Sequence, residues 1–173
     1  MALNIGYLTS DRTTKGDELY TPLRAIEPIK EYIPQDAVIW CPFDLDCSAF
    51  VTELSKTNNV INTHIANGEE ENFLTCEIPQ CDIIISNPPF SKKFAVLQRL
   101  IEIGKPFAII WPLPGVQSLK HFDLVNQCQL LILDQRIRFH KNLDFSDKPG
   151  SPAFASIYLC KDFLPEKLIY KNL

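Results

Sequence analysis

The sequence predicts an α/β fold: a mostly parallel, twisted sheet with helices on both faces, ended near the carboxyl terminus by an antiparallel hairpin. Three observations carry this. Short apolar runs at 37–40, 60–65, 82–86 and 107–111 alternate with segments whose apolar residues recur at helical spacing, the pattern of parallel strands joined by crossover helices. A polar segment at 141–152, rich in Asp, Ser, Pro and Gly, separates two late apolar runs as an exposed hairpin loop would. At 173 residues the chain fits one domain, expected over 16–173 behind a flexible polar leader at 1–15.

The elements follow in order. Leu23, Ile26, Ile29 and Ile33 share a helical face, but Pro28 interrupts them. A Pro inside a helix costs about 3 kcal/mol, so 23–33 is expected as a short, broken or kinked helix ending before Pro34. Residues 37–40 form a buried strand, followed by a turn at 41–44 and a helix over about 47–55, with Ser48 or Asp46 as candidate cap. A second strand at 60–65 is entered through Asn58 and Asn59. A polar run at 67–72 precedes the third strand, 82–86. The clearest helix is 94–103, where Phe94, Val96, Leu97, Leu100 and Ile101 form the apolar face and Gly104 follows as a cap. A strand at 107–111 and a helix at 116–126 come next. Residues 130–133 and 137–139 are a strand pair or one long strand, and 153–160 is the last strand.

Composition narrows the classes of function. No segment approaches the roughly 18 uninterrupted apolar residues of a membrane helix, and residues 1–14 lack the basic start, apolar core and cleavage site of a secretory signal. A cytoplasmic protein, monomer or homodimer, is expected. Six cysteines without a Cys-x-x-Cys pair suit reduced, packed thiols, so neither a disulfide nor a metal site is expected. The net charge of −4 argues weakly against nucleic acid, yet averages hide patches. Lys92 and Lys93 follow the third strand directly, and Arg136, Arg138, His140, Lys141 and Lys148 cluster farther on.

The third strand runs straight into Asn87-Pro88-Pro89-Phe90, and these residue types solve one chemical problem. The exocyclic nitrogen of adenine has its lone pair delocalised into the ring. An Asn side-chain oxygen and the carbonyl of the following Pro can each accept one amino hydrogen, drawing the nitrogen toward a tetrahedral geometry with its lone pair outward. Pro88 and Pro89 stiffen the loop and remove backbone donors, and Phe90 supplies a flat apolar face for a base taken out of its stack. Pro-Pro also ends ordinary strands, and a following Phe also anchors cores. Placement at the carboxyl end of a continuous apolar run favours the functional reading, because open α/β sheets put ligands outside that edge.

Residues 82–90 resemble motif IV of the amino-methyltransferases that use S-adenosylmethionine, in the Asn-Pro-Pro-Phe form typical of adenine methylation. Residues 17–22, ending in Tyr20-Thr21-Pro22, resemble the cofactor motif found ahead of the core, and the order of the two matches the gamma arrangement of such enzymes. With Trp40-Cys41-Pro42-Phe43-Asp44, the chain from about residue 16 onward looks like the EcoRI-methylase-like adenine-specific methyltransferases common in phages and mobile elements. The resemblance implies a Rossmann-like methyltransferase domain, S-adenosyl-L-methionine as cofactor and DNA as partner. RNA, or a fold retained without catalysis, remains an alternative.

It also implies roles. Asn87, Pro88, Pro89 and Phe90 would be catalytic; Tyr20, Thr21, Pro22, Cys41, Pro42, Phe43, Asp44, Asn72 and Asn87 would bind cofactor. Phe90, Lys92, Lys93, Arg138, Phe139 and Lys141 would meet the nucleic acid. Two departures from the family stand out. No Gly lies between Gly16 and Gly68, so the usual Gly-rich first turn is absent. Either the Asp44 carboxylate binds the methionine ammonium there, or Asp44 and Asp46 cap the next helix. Where an acidic ribose ligand is usual, the chain has His64-Ile65-Ala66-Asn67, with Glu69, Glu70 and Glu71 later. Phe139 resembles a late-motif aromatic stacking a base opposite Phe90, although an aromatic on a late strand is core by default.

Overall fold

Residues 19–142, 144–150 and 152–173 are described by a computed structural model of the protein. The leader expected at 1–15, and residues 16–18 of the segment ahead of the core, lie outside them. Seven strands, β1 (Val38–Cys41), β2 (Asn59–Asn62), β3 (Ile83–Ser86), β4 (Phe107–Pro112), β5 (Gln129–Leu133), β6 (Ser156–Lys161) and β7 (Leu168–Lys171), form one sheet in the order β2-β1-β3-β4-β6-β5-β7. Pairing is parallel throughout except at β6, which runs against both neighbours. The fold is thus α/β with a mostly parallel mixed sheet, and no helix among the described residues is long and apolar enough to cross a membrane.

The central strands are apolar at nearly every position because both faces are covered; β3 and β4 are buried along their whole length. Alternation along each strand divides the side chains between two cores. Ile39, Ile83, Ile85, Ala108 and Ile110 pack on one face with Phe50 and Leu54 of α2 (Ala49–Leu54), and with Ile26 and Ile29 around α1 (Glu27–Lys30). Trp40, Ile84, Phe107, Ile109 and Trp111 pack on the other with Val96, Leu97 and Leu100 of α3 (Lys93–Ile103). The chain leaves β1 through α2 toward β2 on one side, and leaves β3 through α3 toward β4 on the other. That reversal opens a crevice at the carboxyl ends of β1 and β3.

Several expected elements take this form. The first helix is broken into a 3-10 turn, Leu23–Ala25, and α1, with Pro28 in the first turn of α1, where its missing N–H is no loss. Gly104 ends α3 in the left-handed region at φ 71°. All six cysteines are free thiols, four of them buried.

Three expectations are corrected. The helix over 116–126 shrinks to one turn, α4 (Phe122–Val125): Gln117 is extended, and the Ser118 hydroxyl accepts the His121 N–H at 3.3 Å just ahead of the turn. Residues 137–139 are no strand of the sheet. Phe139 bridges Gly150, while Ile137 and Phe139 are buried in the first core. The final strand is β7, hidden in sequence by its charged, half-exposed edge position. The expected hairpin does exist as the β5–β6 pair, Leu130 against Leu159, but β6 also lies along β4 from Phe107↔Lys161 to Pro112↔Ser156, so the pair is built into the sheet with β7 outside it.

Candidate functional site

A cavity of about 310 Å³ opens at the crevice between β1 and β3. It gathers Tyr20 and Thr21 from the segment ahead of the core, Pro42, Phe43 and Asp44 from the β1 turn, Asn72 from the loop after β2, and Asn87, Pro89 and Lys92 from the β3 turn. Sequence-distant stretches meet here because parallel strands deliver their carboxyl ends to one edge. The β3 turn is stiff: Pro89 sits at φ −62°, ψ 123°, a 3-10 turn follows at Phe90–Lys92, and α3 begins at Lys93.

Asp44 is buried at 6% exposure. Its Oδ2 accepts a hydrogen bond from the Ser86 hydroxyl, and the Ser48 hydroxyl lies beside the carboxylate. Burial pushes this carboxyl up to about 6, while the two serine hydroxyls pull the other way. Of the readings left open for this turn, the local geometry excludes capping. Neither Asp44 nor Asp46 caps α2: Asp46 accepts from Asn62 Nδ2 at 2.8 Å, and the N-cap position belongs to Ser48, whose Oγ takes the Leu45 N–H at 3.0 Å. Asp44 forms no ion pair among the described residues, so a buried carboxylate faces the cavity without a cation.

Asn87 supplies the second unusual group. Its Nδ2 donates to the Leu19 carbonyl at 3.0 Å, and its Oδ1 is buried without a partner among the described residues. A buried acceptor left unmade costs about 1–3 kcal/mol. Such an oxygen at a ligand cavity is what a site awaiting a donor contains.

The remaining expected residues divide. Pro22 leads the turn Leu23–Ala25, Cys41 is buried beneath the site in the first core, and Pro88 is buried; none of them lines the cavity. Asn72 reaches it, yet its amide is engaged locally, Oδ1 accepting from Leu74 N and Nδ2 donating to Glu69. Phe73 beside it packs on Trp40 and Phe43, with ring centroids 5.4 and 4.9 Å away. None of Glu69, Glu70 or Glu71 lines the cavity, while His64 and Ile65 do. Glu71 instead accepts from His64 N and Asn67 Nδ2.

Phe139 is core: at 1% exposure its ring is covered, so the base-stacking role is corrected on grounds of burial. Phe90 packs against Phe154 with centroids 5.6 Å apart, outside the cavity lining. Lys92, Arg138 and Lys141 are exposed, and Lys93 turns its ammonium to the Phe90 carbonyl at 3.3 Å. Sequence reasoning missed Ser48 and Ser86, which flank Asp44, and Phe145, which enters from the loop after residue 140. The serines had a signal in lying at the mouths of α2 and of the β3 turn; Phe145 had none. Comparison with protein-family models and with curated proteins returned no match.

Proposed function

We propose that the protein is a methyltransferase that moves the methyl group of S-adenosylmethionine to the N6 amino nitrogen of adenine in DNA, on a Rossmann-like domain. The observation that carries the reading is the unpartnered Asn87 Oδ1 held at a cavity that also contains the buried Asp44 carboxylate.

The residues present fit the cofactor. The cavity falls within the usual ligand-pocket range of about 300–1,000 Å³, and mixes aromatic walls with a few polar groups. Asp44 would receive the ammonium of the methionine part, with Ser86 and Ser48 holding the carboxylate toward it. Tyr20, Thr21 and Phe43 would bound the rest. When bound, the cofactor supplies a methyl carbon on a sulfonium, which leaves as a neutral thioether.

Asn87 Oδ1 would accept one amino hydrogen of adenine, drawing the nitrogen lone pair outward toward the methyl carbon, and the proton lost from that nitrogen would pass to solvent. Alignment and electrostatics are the whole contribution of the chain. Exposed Lys92, Arg138 and Lys141 would meet phosphates.

One observation favours a second reading, a cofactor-binding module without turnover: Phe139 is covered and Phe90 is turned onto Phe154, so the two aromatics expected to sandwich a base do not line the cavity. The test is incubation with labelled cofactor and separate pools of duplex DNA, single-stranded DNA and transfer RNA, followed by digestion to nucleosides. N6-methyl-deoxyadenosine is the expected product. Methyladenosine from RNA alone would move the substrate, and cofactor binding with no product from any pool would select the module.

A further inference from the structure

The Asn87 amide is oriented by a contact that nothing in its own loop explains. Nδ2 donates to the main-chain carbonyl of Leu19 at 3.0 Å, which fixes Oδ1 as the end left to accept. Leu19 is held in turn. The next residue, Tyr20, forms a reciprocal backbone pair with His140, each N–H to the other's carbonyl at 2.9 Å. One step on, Phe139 and Gly150 make a second reciprocal pair at 2.8 and 2.9 Å, closing the base of the intervening loop.

Inside that loop one side chain binds the segment that follows His140. The Asp147 carboxylate accepts from Lys141 N at 2.9 Å and Asn142 N at 3.2 Å, and lies 3.3 Å from His140 Nδ1, which also approaches the Asp147 carbonyl at 3.1 Å. The Lys141 N–H, followed by the Asn142 N–H and His140, holds this carboxyl below its ordinary range. Phe145, in the left-handed region at φ 56°, sets its ring edge-on to His140 at 4.8 Å and lines the cavity. One loop thus supplies a cavity wall and braces the strand that aims Asn87.

We infer that Asp147 and His140 are positioning residues: by folding the 140–150 loop they hold the Leu19 carbonyl against Asn87, so that the Asn87 oxygen is presented to the substrate amine only while that loop is formed. This rests on the methyl-transfer reading for its consequence, but not for its geometry. A nucleic acid that packs against the loop would tighten the same brace, coupling substrate docking to the aim of the acceptor.

The test is the Asn87 side-chain amide signal in nitrogen–proton correlation spectra, assigned by its loss in Asn87→Ala, beside kcat and cofactor Kd for Asp147→Ala and Asp147→Asn. The control is Asp144→Ala; Asp144 accepts from Ser146 N at 3.0 Å in the same loop, whereas His140 and the Lys141 and Asn142 N–H groups are bound to Asp147. In the Asp147 variants the amide hydrogen bonded to Leu19 should lose its protection from exchange by tenfold or more, and kcat at saturating cofactor should fall at least tenfold. Asp144→Ala should match the wild type. An amide as protected in both Asp147 variants as in the wild type overturns the inference. So does an equal loss in Asp144→Ala, which would mean general loosening of the loop. The exchange measurement decides even if no nucleic acid is methylated, so failure of the brace and failure of the enzyme reading are distinguishable.

Discussion

Replacing Asp44 by Asn should make the protein more stable and a poorer cofactor binder, both effects growing as pH rises. Burial raises the carboxyl from 3.8 to about 6, and about 2 units at 1.36 kcal/mol each is about 3 kcal/mol of preference for the neutral form. The folded state therefore binds the proton more tightly than the unfolded chain does. Stability from this group is whole below pH 3.8 and is lost as pH rises through about 6. Asn matches the shape and carries no charge, so the unfolding free energy of the variant minus that of the wild type should climb by most of about 3 kcal/mol between about pH 4 and pH 7. Glu53, Glu71, Asp144 and Asp147, whose carboxyls are lowered by their hydrogen-bond donors, act in the opposite direction. They are common to both proteins and cancel in the difference. Urea unfolding across that range measures it. A difference flat with pH would refute the buried, uncompensated carboxylate. Calorimetric titration with S-adenosylmethionine is the second arm: a cation beside Asp44 favours its ionised form, so wild-type affinity should fall below about pH 6 by up to tenfold per unit, while the variant binds weakly with no such slope. Equal affinity at pH 8 would remove Asp44 as the partner of the ammonium.

Ser86→Ala removes a donor that holds the Asp44 carboxylate ionised; the pH midpoint for cofactor binding should move upward, and a midpoint unchanged or lowered in the same titration contradicts the network. Asn87→Ala should keep cofactor affinity and lose methylation by about 10²–10³-fold, the usual scale for deleting one preorganised group that stabilises developing charge; the nucleoside assay reads it, and full activity would strip Asn87 of its role. Tyr158→Phe deletes the buried hydroxyl that donates to the Ala25 carbonyl at 2.7 Å, joining β6 to the segment ahead of β1. A loss of about 1–3 kcal/mol is expected in urea unfolding, with cofactor affinity unchanged.

What sequence could show here divides along the reach of the interactions. The strand runs at 37–40, 82–86 and 107–111 are continuous because both faces are covered, and that signal is local. So is the Pro-Pro stiffening after β3, and the edge rule then brings the turn at 41–44 to the turn at 87–90 without knowledge of any contact. The errors arise where a distant partner decides. The apolar spacing over 116–126 suits a helix, yet in the α4 turn only Val125 is buried, with Leu124 packed half-buried against the second core; Gln117 is extended at the end of the turn that leaves β4. The apolar run at 153–160 says strand, but nothing within it says that β6 will lie along β4 over six residue pairs and force β5 and β7 outward.

The candidate site obeys the same division, and this decides which half of it should tolerate change. The Asp44 half is built from residues around β1, β3 and α2 that the sheet itself holds in place, so substitutions in the 140–150 loop away from Phe145, which lines the cavity, should leave the Asp44 contact to the cofactor intact. The Asn87 half depends on a main-chain carbonyl far away in sequence, and a carbonyl has no residue identity to read. We attribute its aim to Tyr20, His140 and Asp147, through a chain of contacts in which one link, the backbone pair of Tyr20 with His140, crosses more than a hundred positions. A tetrapeptide can therefore name the candidate acceptor, but only the fold can say which end of its amide is left without a partner.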